Sequence, residues 1–355
     1  MARKTICLNM IVKNESSVIR RCFDSVKSII DYWVIVDTGS TDQTKQIISE
    51  FAREVPGLLL EEPWVDFSYN RNSALAFARD RGDYLLFIDA DEELVFPPSY
   101  RCPDLDQDYY VVEYRHGSCR SERTLLVKSE LDWKWEGVVH EAIDCPGAIG
   151  APLHFVSLLG SRDGCRSKDF LNKNLQDAQI LERAIQTDPH NTRYMFHLAG
   201  SFEAAEQYAI ALKYYEKRAL MSGDEREVFF SLYRIAALQQ RLGMSIELFI
   251  PGYLRAFSAR TFRIEPLYYL AAFFLSREWD LLAFLVSKFA LSVNRINECF
   301  LTQTEIYDYG LLMQVAECSY RAGQLDETRF AIQQLLDITN LPPNIRQVIE
   351  NNRFV

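Results

Sequence analysis

Hydrophobic spacing along these 355 residues changes character once, and that change restricts the chain to two kinds of architecture in succession. Up to about residue 165, short apolar runs alternate with helically spaced segments. From Phe170 onward almost every window has helical spacing, with Pro and Gly between the helices. The sequence therefore divides into an α/β domain over residues 1–165 and an all-α domain over residues 166–355.

In the first part, Thr5–Ile11 is a short apolar run, and Glu15–Ile29 has helical spacing with Val18, Ile19, Cys22, Val26 and Ile29 on one face. Tyr32–Val36 is β-branched and aromatic and stops at Asp37-Thr38-Gly39-Ser40. Ser40 or Thr41 is placed to cap a helix from about Gln43 to Arg53, with Pro56-Gly57 beyond its end. Leu58–Glu61 reads as a strand, Asn70–Arg79 as a helix, and Tyr84–Ile88 as the most apolar strand, ending on Asp89. This alternation predicts a doubly wound, mostly parallel sheet. Ligands of such sheets sit beyond the carboxyl ends of the strands, where Lys13, Asp37 and Asp89 fall. Helical spacing then lapses. YYVVEYRH (Tyr109–His116) and RTLLVK (Arg123–Lys128) predict an antiparallel extension, and Trp133–Glu141 with the segment ending at His154 would complete the floor of a site.

The second part repeats itself. Leu198-Ala199 is followed by Phe202, Ala211 and Tyr215, and Leu270-Ala271 by Phe274 and Ala283 at the same offsets. Ile235-Ala236 lies about midway, and a further unit runs through Val315-Ala316, Gly323 and Leu325. These are the offsets of the 34-residue helix-turn-helix repeat of the tetratricopeptide kind. The plainer alternative is a helical domain without repeat ancestry.

Composition narrows the function classes. With 48% hydrophobic and 25% charged residues the chain is neither disordered nor fibrous. Lys plus Arg is 39 and Asp plus Glu is 49, a net charge of −10, which argues against nucleic-acid binding through bulk charge. No run of 18 apolar residues predicts a transmembrane helix, and MARKTICLNMIVKNE lacks a leader's long apolar stretch. Cysteines at 7, 22, 102, 119, 145, 165, 299 and 318 form no C-x-x-C pair, which suits reduced thiols and a cytoplasmic protein.

Two motifs carry the chemistry. In FIDADEE (Phe87–Glu93), carboxylates at i and i+2 follow a buried strand and suit a hard cation bridging a diphosphate. Asp104-Leu-Asp106 and Asp106-Gln-Asp108 share the spacing but read as solvated loop acids. In VIVDTGSTD (Val34–Asp42), a strand ends in an acid before a small-residue turn. The turn has neither G-x-x-x-x-G-K-[ST] nor G-x-G-x-x-G. Asp37 is placed to accept a hydrogen bond from a base N–H, and Asp42 to help cap the following helix.

MIVKNE, VIVDTGSTD, YNRNSAL and YLLFIDADEE, in this order and spacing, resemble a family 2 glycosyltransferase of the GT-A fold. WKWEGVVHE and the Leu-Ala-x-x-Phe helical repeats resemble the bacterial-type branch in which that domain precedes tetratricopeptide-like repeats. The resemblance covers nearly the whole chain. It implies a Rossmann-like GT-A domain, then a TPR-like all-α domain, and inverting transfer from a nucleotide sugar, in most cases a UDP-sugar, to a hydroxyl or thiol. It further implies that Ile11, Val12 and Lys13 line the nucleotide and that Asp37 reads the uracil. Arg71 would contact base or diphosphate, with Asp89 and Ala90 near the ribose. Asp89 and Asp91 would face a manganese or magnesium ion, with His154 completing the metal shell.

The Glu-Asp pair in which many members carry the catalytic carboxylate is absent here. Its place is taken by WEGVVHE (Trp135–Glu141), where Glu141 is the first choice of general base and Glu136 the second. A structural partnership with an Arg or Lys is the alternative for Glu141. His140 would orient acceptor or diphosphate, and Trp64, Trp133 and Trp135 either stack on sugars or pack. The acceptor classes are a lipopolysaccharide or other glycan, a protein or peptide, or a small molecule. The repeats would recruit the acceptor, form a homodimer or buttress the catalytic domain. Two further readings stand beside this one. A non-catalytic repeat scaffold would keep the nucleotide-sugar-binding fold. A nucleotidyltransferase would need a glycine-rich basic loop, which KNESS (Lys13–Ser17) does not supply. The metal role predicts that Asp91→Ala loses most turnover while its circular dichroism and melting stay those of the parent. Normal turnover in the folded variant refutes it.

Overall fold

The computed structural model describes residues 3–161, 163–296 and 298–351. It divides into two compact units, one running through Glu206 and including Cys299–Leu301, the other comprising Gln207–Glu298 and the chain from Thr302. In the first unit, strands β1 (Ile6–Val12), β2 (Tyr32–Asp37), β3 (Gly57–Glu61) and β4 (Tyr84–Phe87) alternate with helices α1 (Ile19–Val26), α2 (Thr44–Phe51) and α3 (Phe67–Ala78). There follow β5 (Glu92–Val95), β6 (Tyr109–His116), β7 (Cys119–Lys128), β8 (Lys134–Glu136), β9 (Ala142–Asp144) and β10 (Gly150–Gly160), then helices α4 (Phe170–Thr187) and α5 (Thr192–Ala204).

Eight of these strands hydrogen-bond in the order β3-β2-β1-β4-β7-β6-β10-β5. The first four are parallel, as the alternation predicts. β7 runs antiparallel to β4 and β6, which is the expected antiparallel extension. β8 and β9 form a separate hairpin. β1, β2 and β4 are buried almost throughout, so they read as continuous apolar runs rather than alternating ones.

One face of the sheet is closed by α1 and α2. Ile19, Cys22, Phe23 and Val26 are buried on α1, and Phe23 stacks on Phe51 of α2 at 4.2 Å. α3 closes the other face, with Ala74, Leu75 and Ala78 buried near Cys7, Val34, Leu85 and Trp133. Asp66 caps α3 by accepting from the Tyr69 N–H at 2.7 Å.

One element starts later than the spacing suggests. The N–H groups of Asn14, Glu15 and Ser16 are not turned into a helix. They donate instead to Ser40 Oγ, Thr44 Oγ1 and Asp42 Oδ2 at 2.8, 2.8 and 3.2 Å. Asn14 is left-handed at φ 57°, so α1 begins only at Ile19. Neither Ser40 nor Thr41 caps α2: its N-cap position is Gln43, which makes no side-chain cap hydrogen bond, and Asp42 just before it accepts from the Thr44 N–H at 3.0 Å.

The second unit is helical: α6 (Tyr208–Ala219), α7 (Glu225–Arg241), α8 (Ile246–Ala259), α9 (Glu265–Ser276), α10 (Asp280–Ser292), α11 (Leu311–Arg321), α12 (Leu325–Leu336) and α13 (Pro343–Asn351). Ala236, Ala256 and Ala283 are fully buried amid Tyr233, Phe249, Tyr253 and Phe284. The repeat positions Ile235-Ala236, Leu270-Ala271 and Val315-Ala316 are all core, as Leu198-Ala199 is in the first unit. Phe229 is core as well, with Arg263 over its ring at 4.9 Å. Among the described residues no helix is long and apolar enough to cross a membrane, and all eight cysteines are thiols.

The tightest glycine in the sheet is Gly57 at the start of β3. A Cβ there would lie 1.9 Å from the Trp33 indole, whose Nε1 donates to the Val55 carbonyl at 2.8 Å. Gly57→Ala should therefore destabilise the first unit by about 1–3 kcal/mol through overpacking, read as a lower midpoint in urea.

Candidate active site

The carboxyl ends of β1 and β2 are joined before any ligand is considered. The Thr38 N–H and Oγ1 both donate to the Val12 carbonyl, at 2.9 and 3.1 Å. Asn14 Oδ1 accepts from the Thr41 N–H at 2.8 Å. Burial works to raise the Asp42 carboxyl, but hydrogen bonds from Ser16 and Thr44 outweigh it and hold it at about 2.

Within this frame Asp37 is fully buried. Its Oδ1 accepts from the N–H groups of Gly39 and Ser40 at 2.9 and 2.7 Å. Gly39 supplies the φ of 106° that the turn requires. Asp37 Oδ2 is buried and has no partner. Just past the neighbouring strand, Glu62 donates its N–H to the Asp37 carbonyl at 3.0 Å and accepts from Ser73 at 2.6 Å, leaving its Oε2 buried without a partner. Ile11 and Val12 close β1 beside this pair, and Lys13 follows, exposed.

At the end of β4 stands an ion-pair chain. Arg71, with 9% of its side chain exposed, donates to Asp89 Oδ1 at 2.7 Å and to Glu141 Oε1 at 2.6 Å. Arg123 on β7 donates to Asp89 Oδ2 at 3.0 Å and pairs with the buried Glu92. Burial acts to raise the Asp89 carboxyl, yet the two guanidinium groups hold it well below the usual carboxylate range. For Glu92 burial wins over Arg123 and pushes it up to about 7. Asp91 is raised by burial and by the Asp89 carboxylate. Ala90 between them is buried.

The YNRNSAL helix holds the β8–β9 hairpin. Ser68, Arg71 and Asn72 share one face of α3 by their i, i+3, i+4 spacing. Asn72 exchanges two hydrogen bonds with the Trp135 backbone at 2.8 and 2.9 Å, and Ser68 Oγ donates to the Gly137 carbonyl. The Arg71 guanidinium also lies over the Trp135 ring at 4.8 Å. Trp133 is core, its Nε1 bonded to the Lys128 carbonyl; Trp64 is exposed and edge-on to Phe67.

Of the residues anticipated from sequence, Arg71, Asp89 and Glu141 are thus brought into direct contact. Glu136 is exposed on β8 opposite Ala142, with no ion pair to this chain among the described residues. His154 does not join Asp91. It lies on β10 beside a cavity of about 730 Å³ lined by Pro97, Tyr100, Pro152 and Phe155, which neither Asp89 nor Asp91 lines. The register of β10 against β6 shifts between Pro152 and Ser157, the stretch that carries His154. Each Asp89 oxygen accepts from a guanidinium, so its charge is already met in part by the protein. Among the described residues no group of three His, Cys, Asp or Glu is arranged to hold a metal. The Asp91 carboxylate has no guanidinium on it and accepts from its own backbone N–H.

Sequence reasoning missed Arg123, although an Arg heading the strand run RTLLVK marks it, and Glu62, which directly follows β3. It also missed Glu15 of the MIVKNE motif. Glu15 Oε2 accepts from the Cys165 N–H at 3.1 Å, and burial, with Asp91 and Asp89 adding to it, pushes the carboxyl up to about 7. A carboxyl raised on folding binds its proton more tightly in the native state. Stability it contributes at low pH is therefore lost as pH rises from its unfolded value near 4.5 through about 7. Glu15→Gln should flatten the decline in melting temperature between pH 5 and pH 7.5, approximately the span of the shift; an unchanged slope removes Glu15 as a cause.

Residues 7–97 match the family model described as glycosyl transferase family 2. A TPR repeat-containing protein of Synechococcus elongatus is 44% identical over 96 residues, which are 27% of this chain and 22% of that protein. The SPbeta prophage-derived glycosyltransferase SunS of Bacillus subtilis is 26% identical over 231 residues, 60% of this chain and 53% of that protein. An uncharacterized glycosyltransferase of Rickettsia prowazekii is 37% identical over 182 residues, 51% of this chain and 55% of that protein. The chain thus spans about half, or less, of the length of these curated relatives. The sheet order, the strand-end acids and the family match converge: through residues 7–97 the chain carries a glycosyltransferase family 2 domain, ahead of a helical repeat region.

Proposed function

We propose that the α/β domain transfers a sugar from a nucleotide-sugar donor, of the UDP-sugar class, to a hydroxyl or thiol acceptor, with inversion. The observation that carries this reading is Asp37: a fully buried carboxylate, fixed by two backbone N–H groups, with one oxygen left without a partner at the carboxyl end of a central strand. A buried acceptor without a partner costs about 1–3 kcal/mol, and the N–H of a uracil ring offsets that cost. On this reading Ile11, Val12 and Lys13 flank the base, and Arg71 and Asp89 face the ribose and diphosphate. Arg71 and Arg123 already balance Asp89, Glu92 and Glu141 in part, so a diphosphate enters a site whose acids are restrained rather than bare.

A magnesium or manganese ion on Asp91 would stabilise the charge that builds on the leaving diphosphate. The acceptor proton falls to Glu141. Its Oε1 is held by Arg71, while its Oε2 has no hydrogen-bond partner among the described residues. Glu136 is the second choice. His140 is an exposed residue whose ring is stacked; desolvation of that ring, against the opposing pull of Asp177, pushes it down to about 4. It is neutral at pH 7 and offers a hydrogen bond rather than charge. We assign to the helical unit either recruitment of a glycan, protein or peptide acceptor or formation of a homodimer.

The test is thermal shift and nucleoside-diphosphate release with a panel of nucleotide sugars in manganese, magnesium or EDTA. The expected result is a cation-dependent shift with one UDP-sugar. Asp37→Asn turns an amide donor toward the base N–H, so UDP affinity should fall by at least about tenfold, near the 1.4 kcal/mol that one mismatched hydrogen bond is worth. Unchanged affinity in that variant overturns the base-reading role, and no shift with any nucleotide sugar overturns the transferase reading in favour of a repeat scaffold.

A further inference from the structure

We infer that His197 and Arg193, both on α5, are positioning residues for Glu141, holding the β8–β9 loop in the conformation that delivers this carboxylate to Arg71. The kinetic part of this inference rests on the transfer reading above; the conformational part does not.

The loop from Gly137 to Glu141 contains two left-handed residues, Gly137 at φ 112° and His140 at φ 55°. The first costs a glycine nothing. The second is unfavourable for a residue with a Cβ by about 1–2 kcal/mol, so contacts outside the loop must hold it. On one side these come from α3: Ser68 to the Gly137 carbonyl, Asn72 to Trp135 and Arg71 to Glu141. None of them touches His140.

α5 supplies the other side. Arg193 donates to the His140 carbonyl at 2.9 Å. The His197 ring lies flat on the His140 ring, with centroids 4.4 Å apart and planes inclined by 10°. Arg193 and His197 are four residues apart, one helical turn, and so grip the loop residue from a single face of α5. The helix itself is anchored, since Asn191 caps it by accepting from the Tyr194 N–H at 2.9 Å, and Phe196 meets the His197 ring edge-on at 5.4 Å.

The Nε2 of His197 is buried and has no hydrogen-bond partner. Its nitrogen therefore contributes nothing to the grip, and what it offers His140 is a flat face. The two rings are both pushed toward the neutral form by desolvation, so the stack is not opposed by like charge at neutral pH. His140 is thereby set in its left-handed conformation, and Glu141 follows it directly in the chain. The consequence is that a helix beyond the family-matched residues 7–97 sets the geometry of the proposed base.

Three variants of the full chain test this: His197→Ala, His197→Phe and Arg193→Ala. Amide hydrogen exchange over residues 138–142 reads the loop, and steady-state kinetics with the donor found in the panel reads the site. His197→Ala should speed exchange in the loop by about tenfold. It should lower kcat by roughly 10- to 100-fold, as expected for a displaced reacting group, while KM for the donor stays within about twofold. His197→Phe keeps the flat face and should restore both. Arg193 is exposed, so Arg193→Ala removes its hydrogen bond without disturbing the core, and should reproduce a smaller part of each effect. Unchanged loop exchange in both alanine variants overturns the inference. So does failure of His197→Phe to rescue, which would mean that the nitrogen itself is used, and so does a parallel loss of donor binding. If the parent chain transfers no sugar from any donor, the transfer reading fails, and the exchange measurements alone decide whether α5 holds the loop.

Discussion

A single buried cation organises the proposed site. Arg71 lies on α3 with 9% of its side chain exposed and meets two carboxylates that arrive from different parts of the chain, Asp89 from the end of β4 and Glu141 from the β8–β9 hairpin. Burying a guanidinium is unfavourable unless its charge is met with good geometry, and a buried carboxylate whose partner is removed is left uncompensated at about 3–5 kcal/mol. Each partner therefore requires the other two. The hairpin cannot leave α3 without exposing this deficit, and Asp89 cannot swing toward a ligand without giving up two guanidinium contacts. Trp135 beneath the guanidinium adds a surface that disfavours water.

The same economy of parts recurs where β1 and β2 end. Backbone N–H groups ahead of α1, which no helix could satisfy internally, are met by Ser40, Asp42 and Thr44, so two strand-end loops are tied together. Asp37 is aimed from within that pair of loops. The pairing explains why the spacing of MIVKNE and VIVDTGSTD matters more than either motif by itself: each loop is incomplete until the other supplies its hydrogen bonds.

Much of this was legible in the sequence, and the limits have physical causes. Central parallel strands buried on both faces read as unbroken apolar runs, so β1, β2 and β4 were evident, and their last residues pointed to Asp37 and Asp89. The acidic motif FIDADEE was read as a ligand cluster only, although its final residues begin β5; charge concealed a strand whose burial alternates from Glu92 to Leu94. The grouping of α4 and α5 with the first unit was not legible, because helical periodicity is the same on both sides of Glu206. Nor does spacing reveal that Asp89 is occupied by Arg71 and Arg123, since those partners lie 18 and 34 residues away. His197 gave no signal at all: a histidine within a helical repeat looks like filling until His140 is seen lying flat against it.

The oxygen that Asp37 leaves open also has a repulsive side. A lone pair fixed in the interior cannot rotate into a donor, and two backbone N–H groups on the other oxygen keep the carboxylate from turning. A base that offers an N–H there completes the pair. A base that offers a ring nitrogen lone pair, as cytosine does, would place two acceptors against each other with no water to separate them. Discrimination among nucleotides would then come from intolerance of the wrong base rather than from added attraction to the right one, and it would be in place before any sugar is examined.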